Sequence, residues 1–115
     1  MRVLIVDDHP SFRASARKLL ESEGYEVVGE AADGAGALAA AAKLHPDVVL
    51  LDVQLPDIDG FEVASRLAET ESAPEVILTS SRDCDDYGSC VEKSGARGFV
   101  PKAELSGAAL TTLLA

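Results

Sequence analysis

Acids and other polar groups recur where apolar runs stop. Val3-Leu4-Ile5-Val6 ends on Asp7-Asp8, and Val48-Val49-Leu50-Leu51 ends on Asp52. Val76-Ile77-Leu78 ends on Thr79-Ser80-Ser81, and the stretch from Arg97 to Val100 ends on Pro101-Lys102. Singly these are ordinary: an aspartate there most often caps a helix or starts a turn, and a lysine is a surface residue by default. Brought together, three carboxylates, a hydroxyl and an ammonium have a chemistry of their own. Packed carboxylates repel, so at least one has a raised pKa unless a cation offsets them. Hard oxygen ligands, few in number, suit Mg2+, which keeps several waters and accepts one or two carboxylates. A metal held by Asp8 and Asp52 leaves coordination sites for phosphoryl oxygens, and Lys102 then pairs with the same phosphoryl as a mobile cation. One hydroxyl donates a hydrogen bond to it. Asp52 would be the nucleophile, forming an aspartyl phosphate, while the metal and Lys102 would stabilise charge on the transferring group.

Those residues meet only if the elements carrying them are parallel neighbours. The four apolar residues before Asp52 read as a strand buried on both faces, and Pro56 and Gly60 beyond it as a loop. Val3–Val6 is a first strand of the same kind. Pro10 suits a first helical position, Phe12, Ala16, Leu19 and Leu20 make one buried face, and Gly24 ends that helix. Tyr25–Ala31 is a weaker strand, Asp33-Gly34 a turn or cap, and an Ala-rich helix runs to about His45 before Pro46. A helix from Phe61 to about Glu69 places Phe61, Ala64, Leu67 and Ala68 on one side. Val76–Leu78 is the fourth strand, Asp85–Lys93 a short helix closed by Gly95, Arg97–Val100 the fifth strand, and Leu105–Leu114 the last helix. Strand and helix thus alternate five times, which argues for a parallel α/β sheet with helices on both faces. With right-handed crossovers and strand order 2-1-3-4-5, ligands bind beyond the strand ends between strands one and three.

A chain of 115 residues is expected to form one domain spanning 1–115, with no linker or repeat. With 47% hydrophobic and 26% charged residues it reads as globular and not disordered. No apolar run is long enough for a bilayer and no signal-peptide pattern precedes the first strand, so the expected compartment is the cytoplasm. A net charge of −10 should repel nucleic acid and anionic membranes, so any DNA-binding role needs another domain. Cys84 and Cys90 lack CxxC spacing and clustered histidines, and read as reduced thiols.

Asp7-Asp8, Asp52 with Pro56 and Gly60 behind it, Ser80, and Lys102 with Phe99 ahead of it resemble the receiver domains of two-component response regulators. The resemblance covers the whole chain. It implies a flavodoxin-like (βα)5 fold in which Asp52 is the phosphoacceptor, Asp7 and Asp8 bind Mg2+ (Asp8 directly), and the Gln54 backbone carbonyl is a further ligand. It further implies phosphoryl donation by a histidine kinase, self-catalysed phosphorylation and dephosphorylation only, and a shift of strand four and the following helix. Phe99 is then both core and rotamer switch, packing inward when Ser80 moves toward the phosphoryl group. The signalling face of helix four, strand five and helix five, often a dimer interface, would include Tyr87, Glu92, Arg97, Lys102 and Glu104. Asp7-Asp8-His9-Pro10 and Val28-Gly29-Glu30-Ala31 resemble the subfamily joined to a helix-turn-helix DNA-binding domain. Two positions depart from the pattern. Spacing from Lys102 favours Ser80 as the switch hydroxyl, whereas spacing from Pro74 favours Thr79; Ser80 is taken. The family often has a proline after the strand-five lysine with a cis bond between them, but here Ala103 follows, where a cis bond costs about 3 kcal/mol.

Other residues carry less. Asp57-Ile58-Asp59-Gly60 resembles part of a calcium loop, but Leu55 and Arg66 would fall on its first and twelfth positions, where acids are needed. Asp57 and Asp59 are expected to be solvated loop acids. Arg13 and Arg17 read as a solvated helix face, with a kinase-docking patch as the functional alternative; His9 and His45 are expected to be structural or exposed. Two other functions compete, the second of them, a flavin module, on the same strand order. An aspartyl-phosphate phosphatase would need a second acid and a cap domain, neither visible, and a flavin module would bring an FMN phosphate among acids that repel it.

Overall fold

The computed structural model describes residues 1–81 and 90–114. Its five strands are β1 (Arg2–Val6), β2 (Glu26–Ala31), β3 (Val48–Asp52), β4 (Glu75–Ser80) and β5 (Gly98–Pro101). They form one sheet in the order β2-β1-β3-β4-β5, every neighbouring pair parallel. The expected 2-1-3-4-5 order is therefore the one observed.

Each inner strand feeds two apolar layers. Val3 and Ile5 of β1, with Val48 and Leu50 of β3, face one layer, while Leu4, Val6, Val49 and Leu51 face the other. Side chains alternate across a strand, so a sheet covered on both sides needs apolar residues at every position; the uniform runs in the sequence have that cause. The first layer is closed by Ala16 and Leu20 of α1 (Pro10–Ser22) and Leu110 of α5 (Gly107–Leu114). The second is closed by Ala37 and Ala41 of α2 (Gly34–Leu44) and by Val63, Ala64 and Leu67 of α3 (Gly60–Ala68). A fourth helix, α4, is described over Cys90–Lys93; the earlier part of the expected Asp85–Lys93 helix, with Cys84 and Tyr87, lies outside the described residues.

Helix ends follow local chemistry. Pro10 opens α1, and Gly24 just past it has φ +93°. The Asp33 carboxylate accepts from Gly36 N–H at 2.7 Å, and His45 closes α2 in the left-handed region. Some boundaries differ from expectation. The buried stripe of α3 is Gly60, Val63, Ala64 and Leu67, with Phe61 half-buried and Ala68 exposed, because the Asp59 cap fixes the helix phase one step from the expected one. A single 3-10 turn over Lys102–Glu104 follows β5, Leu105 is extended, and Ser106 Oγ accepts from Ala109 N–H, so α5 starts at Gly107 and not at Leu105. The described peptide bonds include no cis bond, so Lys102–Ala103 is trans. Among the described residues no helix is long and apolar enough to cross a membrane.

Candidate functional site

The ends of β1, β3, β4 and β5 bring their polar residues to one rim of the sheet. Asp7 follows Val6, Asp52 closes β3, and Lys102 follows Pro101 as β5 runs out into the 3-10 turn. The Asp7 and Asp52 side chains are buried, whereas Asp8 keeps 37% of its side chain exposed. Lys102 reaches between the two buried acids, with Nζ 2.6 Å from Asp7 Oδ2 and 3.4 Å from Asp52 Oδ2. Asp52 Oδ1 accepts from Gln54 N–H at 3.1 Å, which ties the carboxylate to the start of its own loop.

Electrostatics follow from this geometry. Burial, and after it the like charge of Asp7, raise the Asp52 pKa above the ordinary carboxylate value, against the opposing pull of Gln54 N–H and Lys102. Burial works to lower the Lys102 pKa, but its hydrogen bond to Asp7 and the charges of Asp52 and Asp7 outweigh it, so the lysine is held charged above its usual value.

Asp7, Asp8, His9 and Asp52 each offer one ligand atom, all within 4.8 Å of one another. Three of these donors are hard carboxylate oxygens, a set that fits a divalent cation of the Mg2+ type. His9 is exposed, as expected, yet its Nδ1 lies 2.9 Å from Asp7 Oδ1 and 3.0 Å from Asp8 Oδ1, because its place just ahead of α1 turns the ring back over the acids.

The two candidate hydroxyls separate by register. Thr79 stands opposite Asp52 on the β3–β4 ladder, and its buried Oγ1 has no hydrogen-bond partner among the described residues. Ser80, also buried, stands opposite Pro101. Alternation puts Thr79 in line with Ile77, on the layer of α1 and α5, and Ser80 in line with Leu78 on the other layer. Phe99 is half-buried against that second layer.

Neighbouring residues hold the site in place. Arg13 donates Nη1 to the Asp7 carbonyl and Nε to Glu30 Oε1, and Arg17 Nε donates to Glu30 Oε2 at 2.9 Å. Arg13 and Arg17, expected as a solvated helix face, are partly exposed and ion-paired to Glu30, which β2 places beside α1. Asp57 is an exposed loop acid, as expected, but one with partners across the fold. Its carboxylate accepts from Gly34 and Ala35 N–H at 2.8 and 2.9 Å, and those two bonds hold its pKa down to about 2. Asp59 caps α3 through Glu62 N–H. The Asp59-x-x-Glu62 spacing carries that signal in the sequence, whereas the Asp57 bond to α2 has no local signal.

A family model described as "Response regulator receiver domain" matches residues 3–114. This chain belongs to that family. The DNA-binding transcriptional activator EvgA of Escherichia coli K12 is 34% identical over 104 residues, covering 90% of this chain and 51% of EvgA. The signal receiver domain of NarL from Mycobacterium tuberculosis superposes with a TM-score of 0.87 at 37% identity, covering 98% of this chain and 95% of that one. The CheX–CheY–BeF3–Mg2+ complex from Borrelia burgdorferi matches with a TM-score of 0.86 at 28% identity, covering 99% and 86%. This receiver domain spans about half the length of the curated relatives it matches.

Proposed function

We propose that this receiver domain takes a phosphoryl group onto Asp52 and switches conformation in response. The observation that carries the proposal is the Lys102 ammonium placed between Asp7 and Asp52, one residue from the more exposed Asp8. A carboxylate oxygen of Asp52 forms the new O–P bond as the bond from phosphorus to the donor breaks. Burial makes this carboxylate more basic than an ordinary one, which favours attack. Lys102 neutralises charge on the phosphoryl oxygens. Asp7, Asp8 and Asp52, with the Gln54 carbonyl, would hold a Mg2+ ion, which supplies further charge neutralisation when bound. The Borrelia CheY complex, named with both Mg2+ and BeF3, supports this assignment.

A strand-end hydroxyl donates to the phosphoryl group. Spacing supports Ser80, and the unpartnered Oγ1 on Asp52's own rung supports Thr79. The signal then passes through β4, α4 and β5, with Phe99 following the hydroxyl. The donor is a histidine kinase, and residues 1–115 act as one signalling domain with no outside substrate of their own. The EvgA relative, a DNA-binding activator about twice as long, supports a DNA-binding output domain as the partner; the face of α4, β5 and α5 is the proposed homodimer contact.

The test is labelling by acetyl phosphate in Mg2+. The native chain is expected to label and Asp52→Asn not to; label retained by Asp52→Asn overturns the assignment. Thr79→Val and Ser80→Ala, compared in the same assay, assign the hydroxyl.

A further inference from the structure

Phe12 lies in the first turns of α1, and the Lys102 ammonium sits over its ring with Nζ 4.6 Å from the centroid. The same ammonium faces Asp7 at 2.6 Å and Asp52 at 3.4 Å. Only 17% of the Lys102 side chain is exposed, so the ring stands where water would otherwise solvate the cation. An aromatic face attracts a cation through its quadrupole but offers no lone pair and no fixed direction. It therefore keeps the ammonium near the site without competing for its N–H bonds as a third carboxylate would.

We propose that Phe12 is a positioning residue for phosphoryl transfer: its ring face holds the Lys102 ammonium at the pocket rim, poised to turn from Asp7 to the phosphoryl oxygens. This rests on Asp52 being the phosphoacceptor. An ammonium solvated by water would have to shed that water as the phosphoryl group arrives, whereas one resting on a ring only rotates. The bland alternative is that Phe12 merely packs on the layer of α1 and α5, which it also touches. A leucine satisfies that packing but has no π face.

Two readouts on the full chain separate these cases. In acetyl phosphate labelling with Mg2+, Phe12→Leu is expected to lower the limiting rate constant by ~3–10-fold, with the half-saturating donor concentration unchanged and Phe12→Tyr near the native rate. In proton NMR of the unphosphorylated protein, the Lys102 ε-methylene resonances are expected upfield in the native chain and in Phe12→Tyr, and at ordinary positions in Phe12→Leu. A native limiting rate in Phe12→Leu overturns the proposal, and so do unshifted Lys102 resonances in the native chain. The NMR result needs no phosphorylation, so it stands even if Asp52→Asn still labels; that second outcome overturns the phosphoacceptor assignment instead.

Discussion

Lys102 Nζ is closer to Asp7 Oδ2, at 2.6 Å, than to Asp52 Oδ2, at 3.4 Å. The ammonium is thus held mainly by Asp7 and not by the proposed phosphoacceptor, which leaves Asp52 the weaker of its two ion pairs. Lys102→Met keeps the aliphatic stem and removes the charge, leaving two buried carboxylates facing each other. Breaking a wholly buried pair costs ~3–5 kcal/mol, and this lysine lies at the rim, so a loss of about 2 kcal/mol is expected. Labelling by acetyl phosphate should fall by about 100-fold or more, the usual cost of one missing stabiliser of transition-state charge. Denaturant unfolding and labelling kinetics check the two effects, and native values in both would show the ion pair to be idle.

Asp52 also sets a pH dependence. Its folded pKa is raised by burial first and by Asp7 second, so the folded state binds the proton more tightly than the unfolded chain does. The ionised group therefore costs stability at neutral pH, and that cost disappears as pH falls through the raised pKa toward the ordinary carboxylate value. Asp52→Asn is expected to melt above the native chain at pH 7 without Mg2+, with the gap closing under mild acid. Added Mg2+ should raise the native melting temperature by binding the folded state, and should do so much less in Asp52→Asn. Melting curves across pH, with and without Mg2+, check both.

Gly60 meets the main chain of Asp52, the proposed phosphoacceptor. A Cβ there would lie 2.3 Å from the Asp52 carbonyl oxygen and 2.7 Å from Val53 Cα, and Gly60 N–H donates to Val53 C=O at 2.7 Å. Glycine to alanine on a helix ordinarily stabilises by up to ~1 kcal/mol. Here main-chain atoms must move, so Gly60→Ala is expected to destabilise by about 1–3 kcal/mol and to slow labelling by displacing Asp52. Chemical denaturation gives the sign, which decides between propensity and close approach.

The parts of this molecule legible in its sequence are those set by repetition or by neighbours in the chain. A strand buried on both faces must be apolar at every position, so Val48–Leu51 announced β3; Pro10, Gly24, Asp33 and Pro46 announced helix ends. Asp7, Asp8, Asp52 and Lys102 were candidates because each stands where an expected strand stops, and the structure brings them to one rim. What stayed hidden depends on approach across the fold. Asp57 meets the α2 terminus from a loop after β3, Glu30 meets Arg13 and Arg17 from another strand, and Phe12 meets Lys102 from the far end of the chain. His9 was hidden differently, since its partners adjoin it and only the turn direction decides whether the ring meets them. The phase of α3 was misjudged because Ala68 and Val63 are both apolar, and the cap at Asp59 chooses between them.

The Arg13–Glu30 pair yields the last expectation. Arg13 spends Nε on Glu30 and Nη1 on the Asp7 carbonyl, immediately before Asp8, while Glu30 uses its other oxygen on Arg17. The planar guanidinium makes both contacts at once, which a lysine cannot do. Arg13→Met is therefore expected to loosen the turn carrying Asp8 and to slow acetyl phosphate labelling at limiting Mg2+, with Arg13→Lys failing to restore it. Glu30→Gln should produce part of the same defect. A double-mutant cycle on unfolding should give a coupling of about 0.5–1 kcal/mol, in the range for a partly exposed pair. Acetyl phosphate needs no kinase, so a surface arginine reserved for kinase docking would leave this assay untouched. Native labelling by Arg13→Met, with no coupling to Glu30, would return Arg13 to the docking role and detach it from the acid pocket.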